Sequence, residues 1–262
     1  MANAVVNRGD MRKLLTLWRE EGDIDKLLYG LFKSSPQSVL DGDRFLKKIF
    51  EALLAKRPAP PDEAALQSML DLFLTATNLD GDRVVITTPD CEEIPTRTHR
   101  QVFHFRFRKK EPSSEEEEIN GFKTEEAICL LAQAARASAS FPLAFEPVLV
   151  KKSDLGQRAA HLEADAYHID GGVLDNKPID LALRAIANRR ANKQIKRLLF
   201  YIEPDPESID SRVCQIAARP YSAPEVVMKA LVGLPGYQSI TTALQDIERH
   251  NRDVEELQRT LK

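Results

Sequence analysis

The sequence predicts an α/β fold built on a mainly parallel sheet, and three observations carry that reading. Phe103, Phe105 and Phe107 alternate with His104, Arg106 and Arg108, the period of two that a half-buried strand requires. Apolar residues recur at helical spacing in several other segments. A short strand at 167–169, a helical stretch at 178–190 and an apolar run at 198–202 follow one another, the order of a β-α-β unit in a parallel sheet.

The elements follow in chain order. Asp10 stands as an N-cap before Met11, Leu14, Leu15 and Trp18, an i, i+3, i+4, i+7 stripe that Gly22 ends. A second helix begins near Asp43 and carries Phe45, Leu46, Ile49, Phe50, Leu53 and Leu54 on its apolar side. Pro58, Pro60 and Pro61 stop it. Residues 70–77 read as a strand, 78–81 (Asn-Leu-Asp-Gly) as a turn, and 84–88 as a short strand. Residues 111–120 form an acidic, solvated break. Thr124 can cap an Ala-rich helix whose first turn holds Glu125 and Glu126, where the helix dipole favours anions. The run 198–202 is read as a buried strand. Pro204, Pro206, Pro220 and Pro224 then break the chain into loop. Helical spacing returns through Ile240, Leu244, Ile247, Val254 and Leu261, with Asn251 on the same seam. An amphipathic helix of this kind needs a cover, and self-association through residues 240–261 is one way to supply it.

Length and composition narrow the function classes. A chain of 262 residues suits one large domain or two small ones. Apolar residues are 43% and charged residues 29%, ordinary for a globular protein, which excludes collagen-like and disulfide-scaffold readings. Net charge is −3 and aromatic content 6%, so neither a basic footprint nor a stacking platform points to nucleic acid. Cys91, Cys129 and Cys214 are sparse, odd in number and without a C-x-x-C pair, as a reducing cytoplasm would allow. The most apolar stretch, 127–145, is interrupted by Gln133 and Arg136, which argues against a membrane span. The first ten residues lack the pattern of a secretory signal, and the expected location is cytoplasmic. His161 and His168 have no matching carboxylate or Cys spacing, so no metal or other cofactor is expected.

The segment most suggestive of chemistry is Ile-Asp-Gly-Gly-Val-Leu-Asp-Asn-Lys-Pro at 169–178. An Asp at the end of a strand can face a cleft, and Gly171 and Gly172 let the backbone reverse and pass close to another group. Asp-Gly is also an ordinary turn dipeptide, so this segment alone leaves both readings open. Ser138 and Ser140 lie in a run of small residues at a helix end, where their expected role is packing.

Taken together, the run 135–145 (Ala-Arg-Ala-Ser-Ala-Ser-Phe-Pro-Leu-Ala-Phe), the following Asp-Gly-Gly and the Leu-Asp-Asn-Lys-Pro after it resemble patatin-like phospholipases. Residues 74–81 (LTATNLDG) resemble that family's mid-domain strand. Residues 18–24 (WREEGDI) resemble the segment soon after the nucleophile helix in large bacterial patatin-related proteins. Residues 236–240 (GYQSI), with the helix after them, resemble the region those proteins carry beyond the patatin domain.

The resemblance implies a patatin-like three-layer α/β fold with a mainly parallel sheet and a C-terminal helical extension. Residues 1–205 would be a partial acyl hydrolase domain, and 206–262 a Pro-containing linker and amphipathic helix. It implies metal-free hydrolysis of lipid acyl esters by a Ser–Asp dyad, with Asp170 as the dyad carboxylate and Gly171 and Gly172 supporting its loop. The family's G-x-S-x-G elbow is not in this sequence, since none of its thirteen serines has a glycine two residues before it. The Gly-rich oxyanion loop is not present either. Residues 2–6 resemble the body of the helix that follows the nucleophile. The expectation is therefore a domain lacking its first strands, inactive alone, that draws its nucleophile from a missing N-terminal segment or a partner chain. The alternative is a non-catalytic lipid- or partner-binding module.

Overall fold

The computed structural model describes residues 2, 6, 11–22, 27–28, 38–54, 69–109, 119–155, 162–189, 195–202, 220–230 and 240–260. The chain divides into two compact units, Met1–Asn176 and Lys177–Lys262. The expected Asp10 cap, the prolines at 58, 60, 61, 204 and 206, and most of the acidic break lie outside the described residues.

The first unit is a five-stranded sheet with helices. Helix α1 (Met11–Thr16) runs into a π-helical turn over Leu17–Glu21, where the N–H of Gly22 bonds the Leu17 carbonyl at 2.9 Å. Among the described side chains of this segment Leu17 is buried, while Leu15 of the expected stripe is 56% exposed. Helix α2 (Gly42–Leu54) buries Phe45 and Ile49, one turn apart on the side the spacing assigned. Strands β1 (Met69–Thr87) and β2 (Glu93–Arg108) form a long hairpin. Strand β3 (Ile119–Asn120) adds to its outer edge, and helix α3 (Glu125–Ser138) follows. Strand β4 (Val148–Val150), the single turn α4 (Lys152–Leu155) and strand β5 (Ala166–Asp170) complete the unit.

The strand order is β3-β2-β1-β5-β4, and all four pairings are antiparallel. This corrects the expected mainly parallel sheet. The physical reason is connection length. Five residues join β1 to β2, enough to reverse the chain but far too few for the crossover a parallel pair needs. The expected β-α-β unit does not form, because residues 195–202 join no strand.

The turn read at 78–81 is a bulge inside β1. The side-chain Oδ1 of Asn78 accepts the N–H groups of Asp80 and Gly81, both at 3.0 Å. These bonds satisfy the extra residues locally, and pairing with β2 resumes at Asp82 with a shifted register.

The alternation in β2 sets the core. Phe103 and Phe105 are fully buried and Phe107 nearly so. They pack with Leu130, Leu131, Ala134 and Ala137 of α3. On its other side α3 places Ala132 against Leu17, Phe45 and Ile49. Helix α3 therefore lies between the sheet on one side and α2 with the Leu17–Glu21 turn on the other, buried on both sides, which its run of small residues permits. Its start is set as expected: Thr124 Oγ1 accepts the Ala127 N–H at 3.1 Å.

The second unit contains α5 (Ile179–Ala187), α6 (Ala223–Met228) and α7 (Thr241–Thr260). Helix α6 was not expected. Pro224 sits in its first turn, where a missing N–H costs nothing, and Ser222 with Glu225 forms a capping box. Residues 198–202, read as a buried strand, are exposed, with Phe200 81% and Ile202 79% accessible.

Candidate functional site

Strand β5 ends on Asp170, paired across the sheet with Ala76 of β1. Three bonds hold its backbone and side chain. The Asp170 N–H donates to the Ser140 carbonyl at 2.9 Å. The Thr77 hydroxyl donates to the Asp170 carbonyl at 2.9 Å. The Asp170 carboxylate Oδ1 accepts the Gly172 N–H at 2.7 Å and so caps the 3-10 turn Gly171–Val173. Among the described residues the other carboxylate oxygen has no hydrogen-bond partner.

The glycines are required by close approach. A Cβ on Gly171 would lie 2.3 Å from the Thr75 carbonyl oxygen. One on Gly172 would lie 2.9 Å from Asn176 Oδ1 and 3.0 Å from Asp170 Oδ1, crowding the carboxylate itself. The turn is latched beyond its end. The Asp175 N–H bonds the Gly171 carbonyl at 2.8 Å, Thr75 Oγ1 donates to the Asp175 carbonyl, and Arg100 Nε pairs with the Asp175 carboxylate.

Burial raises the Asp170 pKa above its usual value, and the Gly172 bond only partly opposes this. A carboxylate that is half-buried, held at one oxygen and unengaged at the other can accept a proton from a hydroxyl. No serine hydroxyl among the described residues is placed to supply one. Ser138 is the last residue of α3. Ser140 is fully buried, and its Oγ both accepts from Arg136 Nη1 and donates to the Arg136 carbonyl.

Arg136 belongs to a support that sequence reasoning missed. Only 1% exposed, its guanidinium donates to the Gly42 carbonyl, Ser140 Oγ, and Glu146 Oε1, and lies 4.5 Å from the Phe145 ring centroid. Ser38 Oγ donates to the other Glu146 oxygen at 2.6 Å. Burial pushes the Glu146 pKa up, but the Ser38 bond, the backbone and the Arg136 charge outweigh it and the net direction is down. The network ties α2, α3 and the 140–146 loop together, and it seats Ser140, whose carbonyl holds the Asp170 N–H.

His168, two residues before Asp170, is fully buried beside Phe103, with Nδ1 bonded to the Ala166 carbonyl and, among the described residues, no partner for Nε2. Burial pushes its pKa down, which favours the neutral ring. Among the described residues no group of three His, Cys, Asp or Glu side chains is placed to hold a metal ion.

Asp170 thus stands half-buried at the head of an Asp-Gly-Gly turn that leaves the end of β5. The chain belongs to the patatin-like phospholipase family, whose sequence model matches residues 13–183. It is also 29% identical, over 95% of its length, to the uncharacterized membrane protein Rv3479 of Mycobacterium tuberculosis, and spans 24% of that protein's length. No solved structure matches the chain significantly. No helix among the described residues is long and apolar enough to cross a membrane.

Proposed function

We propose that this chain is part of a lipid acyl hydrolase of the patatin-like type, in which Asp170 is the carboxylate of a Ser–Asp dyad. The observation that supports this best is the Asp170 carboxylate itself, held by Gly172 on one oxygen, with its pKa raised and its second oxygen open. Its role would be to take the proton from a serine hydroxyl as that oxygen attacks an ester carbonyl, and to return it to the leaving alcohol. The substrate class is an acyl ester of a lipid, with no metal or organic cofactor. The nucleophile and oxyanion donors would come from an N-terminal segment or partner chain carrying G-x-S-x-G, since these 262 residues do not contain that pattern. The sparse cysteines favour the cytoplasm.

The test uses a fluorophosphonate probe, which labels only an activated serine. The 262-residue chain should remain unlabelled and should not turn over a short-chain p-nitrophenyl ester. The DNA upstream should then be read for a G-x-S-x-G frame and the extended or paired polypeptide prepared. That polypeptide should label, and Asp170→Asn should lower its ester turnover by about a hundredfold or more. Labelling of the present chain, or an extended enzyme indifferent to Asp170→Asn, refutes the assignment. The same lack of a G-x-S-x-G motif favours one second reading, a lipid-binding module without chemistry. Lipid binding with no such frame encoded nearby would select it.

A further inference from the structure

Helix α7 carries a pattern with a narrower meaning than amphipathicity. Ile240, Leu244, Ile247, Asn251, Val254, Gln258 and Leu261 are spaced by alternate steps of four and three. This is the a/d seam of a heptad repeat, with Ile240, Ile247, Val254 and Leu261 at d and Leu244, Asn251 and Gln258 at a. The Leu244 N–H bonds the Ile240 carbonyl at 3.0 Å, so the seam begins within the first helical turn, and the helix continues to Thr260. A helix packed on its own domain normally shows a wider apolar arc that includes e or g positions. Here those positions read Thr241, Glu248 and Glu255 at e, and Ala243, His250 and Leu257 at g, so the seam is flanked mainly by polar side chains. Leu244 is 48% and Val254 38% exposed.

We infer that residues 240–261 pair with the same segment of a second copy as a parallel, two-stranded coiled coil registered by Asn251. Three features select this occupant. The a/d spacing is self-complementary, so two identical seams fit one another. A lone Asn at a central a position meets its own counterpart only in a parallel, in-register dimer, where the two amides bond each other, and such a residue costs stability while fixing register. The flanking charges choose the same orientation. In a parallel pair each g residue faces the e residue five positions on in the other helix, which sets His250 opposite Glu255 and Ala243 opposite Glu248. In an antiparallel pair the e positions face each other, bringing Glu248 and Glu255 together. Within its own helix Glu255 lies 3.8 Å from Arg259, an exposed pair that contributes little and does not compete strongly. With two polar a positions in about three heptads, the pairing is reversible rather than obligate.

Sedimentation equilibrium on the full chain, from about 5 to about 200 micromolar, should show a monomer–dimer equilibrium. Ile247→Glu should weaken dimerisation at least about tenfold and leave the circular dichroism melt of the rest of the chain in place. Asn251→Leu should tighten association by about tenfold or more and admit higher-order species, an outcome a folding defect would not produce. Val254→Cys should cross-link under mild oxidation beyond the background of the parent chain's own cysteines, because a d position meets itself in the parallel register. A parent chain that stays monomeric at the highest concentration overturns the proposal. So does a dimer indifferent to Ile247→Glu, which would place the interface elsewhere, or a dimer in which Val254→Cys does not cross-link, which would make it antiparallel.

Discussion

At the scale of single residues, Asp170 works against the stability of its own fold. Its carboxylate prefers to be neutral in the half-buried site, because burial raises its pKa above the unfolded value of about 3.8. A group raised in this way favours the folded state fully only below the unfolded pKa. That contribution is lost as pH rises through the folded pKa, so the half-buried carboxyl favours the native state less at pH 7 than near pH 4. Asp170→Asn keeps an oxygen that can accept the Gly172 N–H and removes the charge. The substituted chain should be as stable as the parent or more so at pH 7, by about 0 to 1 kcal/mol, with the gap closing as pH falls towards 4. Thermal melts at both pH values read this directly. A clear loss of stability in the substituted chain at pH 7 would mean that the carboxylate is stabilised by charge and is not poised as a base. The neighbouring glycines offer no such latitude, since Gly171 sits where a Cβ would strike the Thr75 carbonyl.

At the scale of elements, the Arg136 network is the joint on which α2, α3 and the 140–146 loop meet. Its cation is almost fully buried while its partner Glu146 is partly exposed, so the loss of either member is felt mainly at the buried guanidinium site. Arg136→Met should destabilise the chain by about 1 to 3 kcal/mol in urea denaturation, because the Gly42 carbonyl and Ser140 Oγ lose a buried donor and Glu146 loses its counter-charge. Adding Glu146→Gln should recover part of that loss, as a coupled pair requires. Full additivity of the two substitutions would show that Arg136 acts by packing alone. None of this was legible beforehand: Arg136 stood out only as a charge interrupting an apolar stretch, and its contacts with Gly42 and Glu146 depend on the fold. The alternation of Phe103, Phe105 and Phe107, the Thr124 cap and the strand leading into Asp170 were legible because each is a local signal. The Asn78 turn was misplaced because the hydrogen bonds that make a turn also make a bulge. Of the site, Asp170, Gly171 and Gly172 could be named, and Asp175 lay in the same motif, whereas Thr75, Thr77 and Arg100 could not be joined to them. They come together from strands that are distant in sequence, and no spacing rule links them.

For the molecule as a whole, residues 198–202 are the place where sequence and structure disagree most. Leu-Leu-Phe-Tyr-Ile is apolar on both faces of an extended chain, the signature of an interior strand of a parallel sheet. In the structure the five residues are between 38% and 81% exposed and join no strand. An exposed apolar segment of this length with high β propensity is an association hazard. Phe200→Lys should therefore lower dye binding by anilinonaphthalene sulfonate and slow heat-induced light scattering several-fold. It should leave the melting free energy within about 0.5 kcal/mol, as expected for a surface position. The Ile247→Glu substitution in α7 should not share this effect, which separates non-specific association from dimerisation. A loss of more than about 2 kcal/mol on Phe200→Lys would carry the opposite meaning. It would show Phe200 buried in solution and the segment paired as a strand, and the parallel element that the chain's periodicity predicts would then exist after all.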